Sequence, residues 1–349
     1  MRASLIIPTK CKLDYLKYTL KSIEIQTNCD FETIIVNDSE DTISNNILTK
    51  ISNLKLVQNK GKGISFARNT GIKNASGDII IFSDDDRILN PYFVDAHVNG
   101  HEKNPSKKAI LYGEKFNCLT IWKKGIPPYG GLNEYVDYFN LDPNTFRQIF
   151  NRKTYSLISP DQIYDFQNFL NNLIFKESED SFGEIHSHFT DINTFSFPWI
   201  VATGGNVSYK RVLIDEIGSF DEGFVGWGVE DIDLAYRAYI KNATFQKTPH
   251  AESYHQVHPI GLYRDFRDAN LQAISLVKNI LYFVNKHKTL ESYLYSRWFE
   301  YNFDWIQRHN LFILSQTNPK IKTELFKLYK NYAIKELNRI KKLLEPALM

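Results

Sequence analysis

The sequence predicts an α/β fold on a mostly parallel open sheet, and three observations carry that prediction. Strand-like and helix-like stretches alternate through the first 90 residues. The apolar run Ile79-Ile80-Ile81-Phe82 ends in Ser83-Asp84-Asp85-Asp86. An earlier β-branched run, Phe31 to Val36, also ends in acids, at Asp38, Glu40 and Asp41. Ligands of open α/β sheets bind beyond the carboxyl ends of the strands, so both runs deliver carboxylates to the edge where a site would be built.

In chain order, Ala3 to Pro8 is a compact apolar strand, and Leu13, Leu16, Leu20 and Ile23 then recur at helical spacing. Phe31 to Val36 is the second strand and Leu54 to Gln58 the third. Gly61 to Gly71 is a glycine-flanked turn running into a helix that ends near Ser76-Gly77, and Ile79 to Phe82 closes the series. Right-handed crossovers between parallel strands would collect Asp38, Arg68 and Asp84 to Asp86 on one edge.

Three adjacent carboxylates repel one another unless solvent or a hard cation compensates them. Oxygen ligands suit Mg²⁺ or Mn²⁺, which commonly bridge to phosphates; a solvated acidic turn is the alternative. Gly61-x-Gly63 is not a dinucleotide fingerprint, because it follows the third strand and no third glycine completes the spacing. Arg68 offers a planar fork either to a structural carboxylate or to a phosphate.

Ile6-Ile7-Pro8-Thr9, Val36-Asn37-Asp38-Ser39, Gly63-x-x-x-Ala67-Arg68-Asn69-x-Gly71 and Phe82-Ser83-Asp84-Asp85-Asp86, in that order, resemble family 2 glycosyltransferases of the GT-A fold. The resemblance implies a nucleotide-sugar donor site at Pro8, Asp38, Arg68, Asp84, Asp85 and Asp86. Asp38 would contact the base, Arg68 would lie near the nucleotide, and the Asp-x-Asp pair Asp84 and Asp86 would hold ribose and a divalent metal. Asn37 and Ser39 depart from the usual pattern around Asp38.

From 92 to 200 the reading is coarser. Tyr92 to Glu102 suggests a helix and Ala109 to Gly113 a strand, followed by an interruption at Pro127-Pro128 and Gly130-Gly131. Residues 113 to 200 are expected to form an acceptor-side insertion with helices over the site. His186 and His188 alternate as on one strand face, with surface histidines favoured over a metal pair.

Chemistry resumes at Trp199 to Tyr209, where Gly204 and Gly205 would let backbone approach a ligand, a β-bulge being the alternative. The resemblance implies that Gly204, Gly205 and Asn206 contact sugar or acceptor. Gly226-Trp227-Gly228 would expose the indole in a loop, and Glu230, Asp231 and Asp233 then crowd the start of a helix, where the macrodipole favours acids. Gly226-Trp227-Gly228-Val229-Glu230-Asp231-Ile232-Asp233-Leu234 is similar to the catalytic segment of β1,4-galactosyltransferases and chondroitin-polymerase-type enzymes. That similarity implies Asp231 as general base, Glu230 as the alternative base or a hydroxyl-binding residue, and Trp227 as a platform for a sugar ring. Such a base must accept a proton near neutrality, whereas Asp86 must stay anionic beside the metal.

Three histidines follow, at 250, 255 and 258. The family closes its metal shell with a histidine after the catalytic helix, and Tyr254-His255-Gln256 resembles that position. Asp86 and His255 are therefore the expected ligands of Mn²⁺ or Mg²⁺, with His250 and His258 as loop or substrate residues.

From 261 the pattern becomes helical and basic, with 15 Lys and Arg against 8 Asp and Glu, a net +7. Phe266, Ala269, Ala273, Leu276, Ile280 and Val284 follow helical spacing, and Leu325, Leu328, Tyr332 and Ile340 suggest a final helix. This tail is expected to pack on the catalytic domain; contact with an anionic membrane surface or a partner protein is the alternative. A net charge of +2 gives no general attraction to nucleic acid, and no apolar run reaches the roughly 20 residues of a spanning helix. Cys11, Cys29 and Cys118 lack metal-ligand spacing and read as unreactive thiols of a reducing compartment. The expectation is a cytoplasmic enzyme, peripheral at the inner membrane face if the tail binds lipid.

The predicted organisation is a GT-A catalytic domain over 1–260 and a helical C-terminal extension over 261–349. Its expected reaction is inverting, metal-dependent transfer of a sugar from a nucleotide-sugar donor, by resemblance uridine-linked, to an acceptor nucleophile. That nucleophile could lie on a glycan, a lipid-linked saccharide, a polypeptide or a natural product. The competing classes are a nucleotidyltransferase, disfavoured because Thr9-Lys10-Cys11-Lys12 lacks a glycine-rich basic turn, and a non-catalytic nucleotide-sugar-binding partner subunit.

Overall fold

In the computed structural model, β1 (Ala3–Thr9), α1 (Leu13–Glu24), β2 (Phe31–Asn37), β3 (Leu54–Gln58), α2 (Ile64–Asn74) and β4 (Ile79–Ser83) form the parallel series that the alternation predicts. β1, β2 and β4 are buried on both faces, as near-continuous apolar runs in a sheet covered by helices should be. The structure describes residues 1–10, 12–28, 30–43, 51–124, 126, 142–173, 176–178, 182–259, 266–296 and 304–325, with isolated positions between 126 and 142 and at 327. Cys11, Cys29, Pro127-Pro128, Gly130-Gly131 and the final-helix positions Leu328, Tyr332 and Ile340 lie outside the described residues; Cys118 is buried.

β5 (Arg87–Leu89), α3 (Phe93–Lys103), β6 (Ala109–Tyr112), β7 (Lys115–Cys118) and β8 (Ile121–Lys123) come next. After them stand α4 (Pro143–Phe150), β9 (Thr154–Ser156), α5 (Phe166–Asn171), β10 (Lys176–Ser178) and α6 (Gly183–His188). The catalytic-segment elements are β11 (Asn206–Lys210), α7 (Arg211–Ile217), α8 (Glu230–Tyr239), β12 (Thr244–Lys247) and β13 (Ser253–Gln256). α9 (Phe266–His287), α10 (Leu290–Ser296) and α11 (Trp305–Thr317) follow.

The main sheet has seven strands in the order β12-β6-β11-β4-β1-β2-β3. β11 runs antiparallel to β4, with Asn206 opposite Ser83, so the start of one strand meets the end of the other. Gly204 and Gly205 therefore reach the same edge as Asp84 to Asp86. A second sheet, β10-β7-β13-β5, sets His255 opposite Arg87 and so returns the chain to that edge.

The helices expected in the insertion are present among its described residues as α4, α5 and α6, and short strands that the sequence does not announce accompany them. The insertion contributes β7 and β10 to the second sheet and pairs β8 with β9, in strands of three or four residues that are too short to display a period. His186 and His188 lie on α6 rather than on a strand, with the His186 ring stacked on Tyr112 and His188 Nδ1 2.9 Å from the Glu184 carbonyl. No described helix is long and apolar enough to cross a membrane.

The described C-terminal helices share the main core. Ile280, Phe283 and Val284 of α9, Tyr293 to Tyr295 of α10 and Trp305 of α11 pack in one cluster with Phe197, Trp199, Leu234 and Tyr236.

Behind the sheet, α3 buries two histidines against β11. His97 Nδ1 lies 2.8 Å and His101 Nε2 2.9 Å from the Ser208 hydroxyl, and His97 Nε2 lies 3.1 Å from Asn206 Oδ1. Burial pushes His97 down to about 4 and His101 to about 3 from the ordinary 6.5. Both stay neutral in the fold, so the stability they contribute is complete above 6.5 and is lost as pH falls towards those values. His101→Gln should therefore close its stability deficit against the wild type by about 1.4 kcal/mol per pH unit below 6.5. Urea unfolding of both proteins across that range checks this; a deficit independent of pH would mean that His101 is not held neutral.

Candidate active site

The strand end at Ser83 sends its three acids in different directions. Asp84 stays a third exposed and lies 3.4 Å from Arg68 Nη2 and 3.5 Å from Arg87 Nε. Asp85 turns inward, accepts the Thr9 hydroxyl at 2.6 Å, and has its carboxyl pushed up to about 6 by burial, with Lys12 opposing. Its carboxylate is 7% exposed and also lies 3.7 Å from Lys12 Nζ, so it is engaged by these two side chains below the edge. Asp86 is buried between Lys12 Nζ at 2.8 Å, His258 Nε2 at 3.1 Å and His255 Nε2 at 3.8 Å. Burial opposes its ionisation, but Lys12 and then the two histidines hold it well below the usual carboxylate range.

Asp86, His255 and His258 each offer one ligand atom, and the three lie within 4.8 Å of one another. One carboxylate with two imidazoles fits Mn²⁺ better than Mg²⁺, which prefers oxygen alone. His255 Nδ1 lies 3.1 Å from Asn117 Oδ1, which fixes the ring and leaves Nε2 for the site. His258, expected as a loop or substrate residue, belongs to this set: it lies just beyond β13, where the chain curls back onto Asp86. His250 occupies a turn with φ +66° beside Tyr92.

Arg68 joins the acidic strand end to the helix side. Its Nη1 donates to Glu230 Oε1 at 2.6 Å and its Nη2 reaches Asp84, while the guanidinium lies 5.3 Å from the Phe220 ring centroid. Burial and the neighbouring Asp231 push Glu230 up to about 7 against the pull of Arg68, and Glu230 Oε2 has no partner among the described residues. A methyl group at Gly204 would sit 2.2 Å from Arg68 Nη2, and one at Gly205 2.4 Å from Arg87 Nε. The paired glycines thus make room for two arginines, a packing requirement that outweighs the bulge reading.

Asp231, half-buried at the start of α8, accepts the Gly204 N–H at 2.7 Å and the Ile232 N–H at 2.8 Å. Asp233, one turn along the same crowded start, is fully buried and structural: Arg237, Lys286 and His287 all bind its carboxylate at 2.8 Å. Before the helix, Gly226, Gly228 and Val229 adopt φ of +85°, +91° and +77°, and Trp227 is 58% exposed. The Trp227 N–H donates to Ser275 Oγ, and Asn279 Nδ2 donates to the Gly228 carbonyl at 2.9 Å, so α9 holds this loop.

Asp38 is buried, accepting from Asn59 Nδ2 at 2.6 Å and the Gly63 N–H at 3.0 Å, which fixes the glycine turn beside the edge. Pro8 is enclosed in β1 opposite Val36. Asn206 is fully enclosed, its amide donating to the Ala251 carbonyl and Ser253 Oγ and accepting from the Gly113 N–H. It cannot touch a sugar directly as expected; it ties β11 to the loop that carries β13. Lys12 and Arg87 are the site residues that the sequence does not disclose. Arg87 directly follows the three acids; Lys12 carries no local signal.

Two family models match the chain. Residues 4–156 match glycosyl transferase family 2, and residues 186–259 match the N-terminal domain of galactosyltransferase. An uncharacterized glycosyltransferase, YfnE of Bacillus subtilis (strain 168), is 27% identical over 84% of this chain and 72% of that protein. Chondroitin synthase of Escherichia coli is 25% identical over 83% of this chain but only 40% of its own length. Validoxylamine A glucosyltransferase of Streptomyces hygroscopicus subsp. jinggangensis is 25% identical over 82% and 61%. Among solved structures, a mannosyltransferase from Pyrobaculum calidifontis in complex with GDP-Man and Mn²⁺ aligns at 13% identity over 95% of this chain and 83% of that one, with a TM-score of 0.49.

Gly204→Ala should lower the unfolding free energy by about 1–3 kcal/mol, because the methyl must displace a guanidinium pinned by Glu230. Gly183→Ala, where an added methyl meets nothing within 4 Å, should stay within about 0.5 kcal/mol of wild type. Urea titration of both reads the difference; equal midpoints would remove the packing argument for Gly204.

Proposed function

This chain is a glycosyltransferase of family 2, and we propose that it moves a sugar with inversion from a uridine-linked nucleotide donor to an acceptor hydroxyl, in one metal-assisted displacement. The observation that carries this reading is the Arg68 bridge, which ties Asp84 on the metal side to Glu230 beside Asp231 on the base side. A single displacement needs an anionic metal ligand and a base facing one reaction space, and no covalent nucleophile.

Asp86, His255 and His258 would hold Mn²⁺, which would supply Lewis-acid stabilisation of the leaving diphosphate. Asp84 is the exposed acid of the edge and would take ribose hydroxyls. Asp38, as the family resemblance implies, would sit at the base through the turn that it anchors. Arg68 is too deeply paired to travel, so its part is to orient Asp84 and Glu230 and to add positive potential.

Asp231 is the base in this reading. Its half-buried carboxylate can be reached by an acceptor, and its two backbone hydrogen bonds fix the direction of the remaining lone pairs. Glu230 lies behind it against Arg68, with Oε2 free to accept a sugar hydroxyl. The exposed Trp227 indole favours an acceptor that presents a sugar ring, for which an aromatic face is a suitable platform.

Asp231→Asn should keep metal-dependent donor binding and lose about 10²–10⁴-fold in kcat. Asp86→Ala should instead weaken metal and donor binding together. Donor cleavage and binding across uridine, guanosine, cytidine and thymidine nucleotide sugars, with Mn²⁺, Mg²⁺ or chelator, measure both. Loss of kcat in Glu230→Gln with full activity in Asp231→Asn would exchange their roles, and no binding of any nucleotide sugar would end the reading. Trp227→Ala should raise the acceptor KM and leave the donor KM unchanged in steady-state kinetics.

A further inference from the structure

A cation already sits among the three groups assigned to the metal. The Lys12 ammonium lies 2.8 Å from Asp86 Oδ2 and 3.2 Å from His258 Nε2, which are themselves 3.1 Å apart, and 3.7 Å from Asp85 Oδ1. An ammonium has donors only, so its contact with His258 Nε2 uses the imidazole lone pair that a metal would need. Lys12 stands between β1 and α1 with its side chain 30% exposed, so its head has a path to solvent.

We propose that Lys12 is a resident counter-cation that competes with the divalent metal for Asp86 and His258, so that metal enters as the ammonium leaves. This rests on reading Asp86, His255 and His258 as the metal ligands. Like charges cannot share one pair of ligand atoms, and Asp85 and Asp86 together do not compensate three positive charges. The diphosphate of an arriving donor adds the missing negative charge and draws the ammonium off Asp86. Metal and nucleotide then bind cooperatively, each strengthening the other by the same factor. Without metal, Lys12 supplies Asp86 with its counter-charge and stays in contact with His258.

The test is Mn²⁺ binding to the full chain, followed by electron paramagnetic resonance, with and without uridine diphosphate. Lys12→Met and Lys12→Gln should each bind Mn²⁺ about tenfold or more tightly than wild type without nucleotide. The gain in Mn²⁺ affinity on adding uridine diphosphate should shrink by a similar factor, while Lys12→Arg keeps the wild-type pattern. Using two replacements guards against one that misfolds, with circular dichroism confirming the fold. Mn²⁺ binding by both variants equal to or weaker than wild type would overturn the competition and leave the metal site standing. No Mn²⁺ binding by wild type or variants, with or without nucleotide, would overturn the metal site and the inference together.

Discussion

The buried guanidinium of Arg68 is the constraint on which the rest of the site depends. It is 4% exposed and contacts Glu230 at 2.6 Å, with Asp84 nearby, under the backbone of Gly204 and beside the ring of Phe220. A buried ion pair contributes little over an apolar pair of the same shape, yet stripping away one partner costs about 3–5 kcal/mol, because a charge is left uncompensated. Arg68 therefore serves as a spacer of fixed geometry more than as a source of stability. α2 carries it, β4 ends on one side and α8 begins on the other, so three separate elements are held in register by one planar group.

Around that group, neighbouring acids acquire different chemistry from position alone. Asp85 is raised to about 6 by enclosure, while Asp86, one residue on, is held well below the ordinary range by Lys12 and the two histidines. On α8, Glu230 is raised to about 7, Asp231 binds backbone amides and Asp233 is taken up by Arg237, Lys286 and His287. Giving acids a few residues apart opposite preferences for the proton requires such divergent environments.

The helices after 261 take part in this arrangement. α9 carries Ser275 and Asn279 against the Trp227 loop and Lys286 and His287 against Asp233, and its apolar face completes the core around Trp199 and Tyr236. Part of the positive charge that marks this region in the sequence is thus consumed internally.

By itself the sequence determined the strand series from Ala3 to Ser83, the acidic strand end and the helix start at Glu230, because each depends on local period or on contiguous residues. The tertiary structure decided what contiguous residues cannot express. His258 joins Asp86 through a curl after β13, Lys12 meets Asp86 across 74 positions of chain, and Gly204 and Gly205 are small because Arg68 and Arg87 lie beneath them. Asn206 and Asp85, polar residues at expected ligand positions, turn inward for the same reason. Strand pairing and packing fix which face a side chain occupies, and those relations join residues far apart in sequence.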